Sequence, residues 1–167
     1  MIQAFAEPFL ASIRFVREEQ PVNLTLREAT DADLDCLGSM NRQMCDDEGS
    51  RNPMSAAEMA VRMRSWLSNE WRGVLFEIEG RVVGYSVFHI GADYYNPAFP
   101  EVHLRQFFIA RDVRGRGLGR LAFGLLRSEW FPADAQIHLD VLASNPRGER
   151  FWESLGFQKY STAMRID

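Results

Sequence analysis

A basic, glycine-rich segment lies between a predicted strand and a predicted helix, and it restricts the fold more than any other feature of the chain. Its sequence, ARDVRGRGLGR over 110–120, follows the apolar run LRQFFI and leads into the helical pattern GLGRLAFGLLRSEWF. A loop at a helix N-terminus presents free backbone N–H groups and the positive end of the helix dipole. Glycines let the backbone approach a ligand closely. The segment therefore predicts a phosphate site between a strand and a helix.

Alternating apolar and polar residues predict strands on both sides of this loop. Before it, strands are expected over 22–30 and 101–110, with a hairpin over 73–90. After it, strands are expected over 136–143 and 157–166. These patterns predict six strands in all.

Four segments carry apolar residues at helical spacing. The first begins near Asp31, and Ser55 is positioned to cap the second. The third follows the glycines of the loop, and Asn145 before Pro146 predicts the start of the fourth. The strand–helix–strand crossover that contains the loop is expected to be right-handed and parallel.

Length and composition narrow the class of protein. The 167 residues fit one domain, which we place at 21–167 after an N-terminal extension, 1–20, with the pattern of a short amphipathic helix. With 19 Lys+Arg against 23 Asp+Glu, the chain lacks the basic excess of a nucleic-acid-binding protein. Its apolar runs are too short to span a membrane, and the N-terminus has no basic start of a secretory signal. Cys36 and Cys45 fit neither a zinc pattern nor a disulfide framework, so we expect no metal and a cytoplasmic protein.

Two common phosphate-binding motifs fit the loop poorly. A nucleoside-triphosphate P-loop needs Lys followed by Ser or Thr after its last glycine, whereas Arg120 and Leu121 follow Gly119 here. A dinucleotide fingerprint reads G-x-G-x-x-G, whereas this loop reads G-x-G-x-G from Gly115. Only one clear strand–helix–strand unit is predicted, which also disfavours a dinucleotide fold.

The segment RGRGLG over 114–119 matches the Q/R-x-x-G-x-G/A signature of the GNAT superfamily, the acyl-CoA-dependent N-acetyltransferases. A second block, NPRGERFWESLGF over 145–157, resembles the family's next conserved region in both order and spacing. The resemblance extends from Leu24 to the C-terminus. It implies an α/β (α+β) fold with a mixed, mostly antiparallel, twisted sheet of six to seven strands. About four helices would flank this sheet, which would be splayed at its fourth and fifth strands.

The resemblance also implies which residues hold acetyl-CoA. Main-chain groups on the strand before the loop would bind the pantetheine arm and the thioester, and backbone amides of the loop would bind the pyrophosphate. An asparagine would contact the pantetheine, and the helix after it would flank the thiol end. In this sequence the residues at these positions are Phe107, Phe108, Ile109, Arg114, Gly115, Arg116, Gly117, Leu118, Gly119, Arg120, Asn145, Gly148, Phe151 and Trp152.

Two positions depart from the usual catalytic pattern of the family. Trp152 stands where many members have a tyrosine that acts as general acid, and an indole N–H is a poor acid. Arg105 stands where many members have a glutamate, and a guanidinium stays protonated and cannot act as a base. The groups that move protons must therefore be sought elsewhere in the chain.

Four residues are candidates for proton transfer, either as a base that takes a proton from the attacking amine or as an acid that protonates the leaving thiolate. Glu101 and His103 share a face with Arg105 if no bulge interrupts the strand, and an imidazole titrates in a suitable range. Asp140 follows on the neighbouring strand, and Tyr160 is a candidate acid from the last predicted strand. Water can also accept the proton while the protein positions the reactants.

Candidate acceptor-binding residues lie on three segments. Arg105 would bind an anionic group of the acceptor or else form an ion pair with Glu101 or Asp140. An acidic run would attract a cationic acceptor or else form a solvated loop, and the aromatic loop before the central strand would line the acceptor site or cover the core edge. These residues are Asp46, Asp47, Glu48, Tyr94 and Tyr95.

The sequence therefore predicts an enzyme that moves an acetyl group from acetyl-CoA directly to a primary amine of a small molecule or, as a lesser alternative, of a protein. A non-catalytic acyl-CoA-binding module on the same fold is a second hypothesis, since the usual Glu and Tyr are missing. A nucleotide-binding regulator that uses the same loop is a third. The resemblance allows a homodimer, because dimers are common in the family.

Overall fold

The computed structural model describes residues 22–164 and 166. The helix expected within 1–20 lies outside the described residues, and the domain boundary near residue 21 stays a prediction. No helix in the described part of the chain is long and apolar enough to cross a membrane.

The described residues form one central five-stranded sheet, and its strands lie in chain order. Neighbouring strands are antiparallel except for the last pair, which is parallel. The mixed, mostly antiparallel sheet that was predicted is therefore confirmed. The strands are β1 (Leu24–Glu28), β2 (Arg72–Ile78), β3 (Arg81–Ala92), β4 (Pro100–Ile109) and β5 (Gln136–His138).

In the part of the chain that the structure describes, four α-helices flank the sheet, as predicted. Ser55 caps the second helix by accepting a hydrogen bond from the Glu58 N–H, and the Glu58 carboxylate returns to the Ser55 N–H. Asn145 caps the fourth through the Gly148 N–H, with Pro146 at the first helical position. The helices are α1 (Leu34–Glu48), α2 (Ala56–Leu67), α3 (Leu118–Glu129) and α4 (Pro146–Glu153).

Among the described residues of 157–166 no strand forms, so the sheet in the described part of the chain has five strands rather than six or seven. Tyr160, Met164 and Ile166 are each at least 93% exposed, which means that this segment has no buried apolar face to hold it against the sheet. The strand expected over 136–143 is also shorter than predicted, because its pairing with β4 stops at His138.

Buried apolar side chains form two clusters, one on each face of the sheet. Ala122 and Leu126 of α3 pack with Phe76 and Val102 on one face. Leu37 of α1 and Met63 of α2 pack on the other face, against Leu75, Tyr85 and Phe108. The helix pair α1–α2 and the helix α3 therefore lie on opposite sides of β4.

A β-bulge interrupts β4 at Arg105. Val87 of β3 pairs with Gln106, and the next residue, Phe88, pairs with Leu104, so Arg105 is an extra residue without a partner on β3. The bulge shifts the alternation of side chains along β4. Leu104 before the bulge and Phe107 after it both face α3, although they are three residues apart. Arg105 and Gln106 consequently both project towards α1 and α2.

Two helical glycines offer a matched test of the α1–α2 packing. A Cβ on Gly38 would lie 2.9 Å from both the Cβ and the N of Ala60 and would also overlap the Ala56 carbonyl, whereas a Cβ on the exposed Gly124 meets nothing within 4 Å. We expect Gly124→Ala to stabilise the protein by about 0.5–1 kcal/mol, because alanine favours a helix. Gly38→Ala should instead destabilise it by about 1–3 kcal/mol, because the two helices must separate. Urea unfolding of both variants measures their free energies of unfolding. Equal changes of the same sign in the two variants would contradict the close packing of α1 on α2 at Gly38.

Candidate active site

The sheet opens between β4 and the chain that follows β5. The two strands pair only from Glu101 to His103 against Gln136 to His138, and β4 continues for six residues beyond that pairing. The splay expected at the fourth and fifth strands is thus present. It contains a cavity of about 310 Å³, whose wall includes Glu48, Arg62, Trp66, His103, Arg105, Gln106, Phe107, Leu139, Asp140 and Trp152.

The basic loop after β4 forms an anion site at the N-terminus of α3. Gly115 and Gly117 have φ of 81° and 74°, values that disfavour any residue with a side chain. Gly117 is the N-cap, and no described side chain bonds to the free N–H groups of this first turn. A Cβ on either glycine would meet nothing within 4 Å, so the space above the loop is open to a ligand.

The predicted acidic residue Asp47 contacts this loop rather than the cavity. Its carboxylate pairs with Arg111 at 2.5 Å and with Arg114 at 2.6 Å. Burial opposes ionisation, but hydrogen bonds from these two arginines hold the pKa of Asp47 below its usual value. Arg114 also donates to the Ile109 carbonyl at 2.7 Å, which ties the loop to the end of β4.

Helix α4 links the anion site to the cavity. The Phe151 ring lies against Gly119 in the first turn of α3, where a Cβ would come within 3.1 Å of it. The next residue, Trp152, lines the cavity and contacts Phe107 edge-on with ring centroids 5.3 Å apart. Gly148 leaves room for the Asn145 cap, because a Cβ there would lie 2.5 Å from the Asn145 Nδ2. A ligand bound at the loop can therefore extend along β4 and α4 into the cavity.

His103 is the predicted proton acceptor that the structure places best. It lines the cavity, and its ring packs edge-on against Trp71 at 5.2 Å and stacks on His138 at 4.5 Å. Burial and, next, the neighbouring His138 lower the pKa of His103 below 6.5. The imidazole is consequently neutral, and able to accept a proton, at neutral pH.

The other three candidates for proton transfer lie in different surroundings. Asp140 lines the cavity with His103. Glu101 is not part of the wall, and its carboxylate lies 3.0 Å from the Nδ1 of His138. Tyr160 is 93% exposed in the irregular C-terminal segment and is also absent from the wall. The structure therefore brings two of the four predicted residues into the cavity.

The remaining predicted acceptor residues also separate into two groups. Glu48 lines the cavity, and burial, followed by the nearby charge of Asp47, raises the pKa of its carboxyl group. Asp46 is outside the wall and pairs with Arg42 one helical turn away. Tyr94 and Tyr95 are 85% and 86% exposed and contact each other in the loop before β4.

Arg105 lines the cavity without the ion pair that was one of its two expected roles. Its guanidinium carbon lies 4.3 Å from the Trp66 ring centroid and 5.0 Å from that of Trp71. Arg62 lies over the same Trp66 ring at 4.7 Å. Two arginines therefore share one indole at the cavity wall.

Sequence reasoning missed Arg62, Trp66 and Gln106. Arg62 and Trp66 are four residues apart on α2, a spacing that places them on one helix face and was a usable signal. Gln106 belongs to a buried network, in which it donates to Asn41 and accepts from Tyr85, both at 3.1 Å. No local pattern indicated this network, since its members lie on three different elements.

A model of the acetyltransferase (GNAT) family matches residues 41–157. This span includes the cavity wall, the anion loop and α4. Among curated protein sequences, none matches the chain significantly.

Solved structures resemble the fold across most of the described chain. A protein from Clostridium difficile 630, described as a possible acetyltransferase, aligns with a TM-score of 0.70 at 13% identity and covers 86% of this chain and 96% of its own. A predicted acetyltransferase from Clostridium acetobutylicum, solved with acetyl-CoA, aligns with a TM-score of 0.67 at 17% identity. The alignment covers 86% of this chain and 96% of that protein. The aminoglycoside N-acetyltransferase AAC(6')-Iy in complex with CoA aligns with a TM-score of 0.68 at 14% identity. The alignment covers 89% of this chain and 97% of that enzyme. At these identities the likeness concerns the fold.

Proposed function

Because the chain belongs to the acetyltransferase (GNAT) family, we propose that it transfers an acetyl group from acetyl-CoA directly to a primary amine of a small molecule. The observation that carries this proposal is the continuity of two sites. The anion loop and the cavity meet along β4 and α4, where Phe151 packs on Gly119 and Trp152 lines the cavity.

The chain's own residues fit coenzyme A. The first turn of α3, which no described side chain caps, and the open space at Gly115 and Gly117 suit a pyrophosphate. Arg116 adds positive charge to this loop. The gap beyond the short β4–β5 pairing leaves main-chain groups of Phe107 and its neighbours free of β5. These groups are suited to hold a pantetheine arm, and Trp152 is suited to flank its thiol end.

Acetyl-CoA supplies, when bound, an acetyl group activated as a thioester. The protein must then present a neutral amine, although an alkylammonium has a pKa of about 10.4. We assign proton removal to His103, whose lowered pKa keeps it in the basic form and whose ring lines the cavity. Glu48 and Asp140 would hold the amine in the same cavity before it loses its proton.

Thermal shift assays separate this proposal from the nucleotide-binding alternative. We expect acetyl-CoA to raise the melting temperature, because a ligand that binds the folded state stabilises it. ATP and NAD at the same concentration should have little effect, since the loop lacks the sequence of either nucleotide motif. Equal stabilisation by ATP would contradict the assignment of the loop to coenzyme A.

A further inference from the structure

The cavity contains two cationic side chains that bind no carboxylate of the protein. Within the described residues, neither Arg62 nor Arg105 takes part in an ion pair or donates a hydrogen bond, and the Nε of Arg62 is buried without a partner. Two guanidinium groups carry ten N–H donors between them. A buried donor without a partner, here the Arg62 Nε–H, is unfavourable.

Trp66 fixes both arginines without using those donors. A cation–π contact with the indole orients each guanidinium through the ring face and consumes no N–H hydrogen bond. Trp71 adds a second aromatic contact to Arg105. The two N–H forks are therefore held in place and remain available to a ligand.

The bulge in β4 directs Arg105 to this position. As the extra residue opposite Val87 and Phe88, Arg105 projects with Gln106 towards α1 and α2. Burial and then the like charge of Arg62 lower the pKa of Arg105, and the nearby Asp140 opposes this shift. A bound anion would reduce the repulsion between the two guanidinium groups.

We propose that the acceptor is a small primary amine that also carries an anionic group, and that Arg62 and Arg105 bind this anion. This inference rests on the proposed acetyl transfer. A planar guanidinium fork suits a carboxylate or a phosphate. Glu48 and Asp140 provide carboxylates for the ammonium end of such a zwitterion. The cavity volume of about 310 Å³ is at the small end of ligand sites, which fits an amino-acid-sized molecule.

The test compares amines that differ in the anion alone. The pairs are β-alanine with β-alaninamide, and phosphoethanolamine with ethanolamine, each at saturating acetyl-CoA. We expect kcat/KM to favour one anionic member by at least about tenfold, because hydrogen bonds to charged groups contribute about 1.5–3 kcal/mol. The pair with the greater preference identifies carboxylate or phosphate as the anion. Equal kcat/KM within both pairs would overturn the proposal.

Variants connect the preference to the two arginines. Arg105→Gln and Arg62→Gln should reduce the preference to within about threefold, while Arg105→Lys, which keeps the charge but loses the fork, should retain part of it. Arg72→Gln is the matched control, because Arg72 also lies over an indole, Trp130 at 4.9 Å, but pairs with Glu28 and lies outside the cavity. A preference that survives both cavity substitutions would overturn the proposal.

Calorimetric titration of the CoA-saturated protein with the same amines distinguishes failure of this inference from failure of the acetyl-transfer proposal. If no amine is consumed but β-alanine or phosphoethanolamine binds at least about tenfold more tightly than its neutral partner, the anion site stands and acetyl transfer fails. If binding shows no preference for the anion, the inference fails whether or not an amine is acetylated.

Discussion

Gly117→Asp should weaken acetyl-CoA binding by about 100-fold or more. The substitution places a carboxylate at the N-cap of α3, where the anion would bind, and forces a side chain onto a residue with φ of 74°. The aspartate carboxylate would also accept hydrogen bonds from the free N–H groups of the first turn, and these N–H groups would then be unavailable to a pyrophosphate. Isothermal titration with acetyl-CoA measures the loss.

Gly80→Asp is a matched control for this prediction. Gly80 has φ of 77° in the β2–β3 turn, and a Cβ there meets nothing within 4 Å, so the backbone strain and the added charge are comparable. We expect its acetyl-CoA affinity to stay within about twofold of the parent protein. Equal losses in the two variants would mean that general destabilisation, and not the anion loop, explains the effect.

His103→Gln should lower kcat by about 100-fold, which is the usual scale for removing a group that transfers a proton. Burial and His138 lower the pKa of His103 below 6.5. The kcat of the parent protein should therefore fall on acidification only below about pH 6.5, where His103 becomes protonated. In a plot of kcat against pH, the variant should lack this acidic limb. It should keep the rise of kcat with pH that comes from deprotonation of the amine itself. A pH profile of kcat with an unchanged acidic limb would exclude His103 as the proton acceptor.

Two other histidines serve as controls, since all three histidines of the chain lie in one row across β3, β4 and β5. His138→Gln removes the ring stacked on His103, so the pKa of His103 should rise towards 6.5 and the acidic limb should move to higher pH. His89, like His138, lies outside the cavity wall, but its ring is not stacked on that of His103, so the rate of His89→Gln should stay within about twofold of the parent.

Local rules explain why the loop and the helix starts could be predicted from the sequence. Glycine at positive φ, the Ser55 cap and the Asn145 cap each depend on residues within four positions of one another. The cavity depends on contacts between distant parts of the chain. Nothing near Arg105 in sequence shows that the bulge would turn it onto Trp66, or that Arg62 would share the same ring.

Two segments show how tertiary contacts act beyond the residue pattern. The segment 157–166 alternates like a strand, but Phe157 packs beside Trp152, while Tyr160, Met164 and Ile166 remain exposed and no pairing with the sheet forms in its described residues. The acidic run that contains Asp47 allowed either attraction of a cationic acceptor or a solvated loop, and folding places Asp47 beside Arg111 and Arg114. In both cases tertiary contacts, rather than the residue pattern, decide what the segment does.

The most direct test of the proposed function is the product balance with acetyl-CoA and a primary amine. Mass spectrometry of the amine and thiol titration of CoA should show one acetylated amine for each free thiol released, at a rate that depends on the protein. Bound acetyl-CoA with no acetylated amine above the protein-free background, across neutral and anionic amines alike, would contradict acetyl transfer and favour the acyl-CoA-binding module.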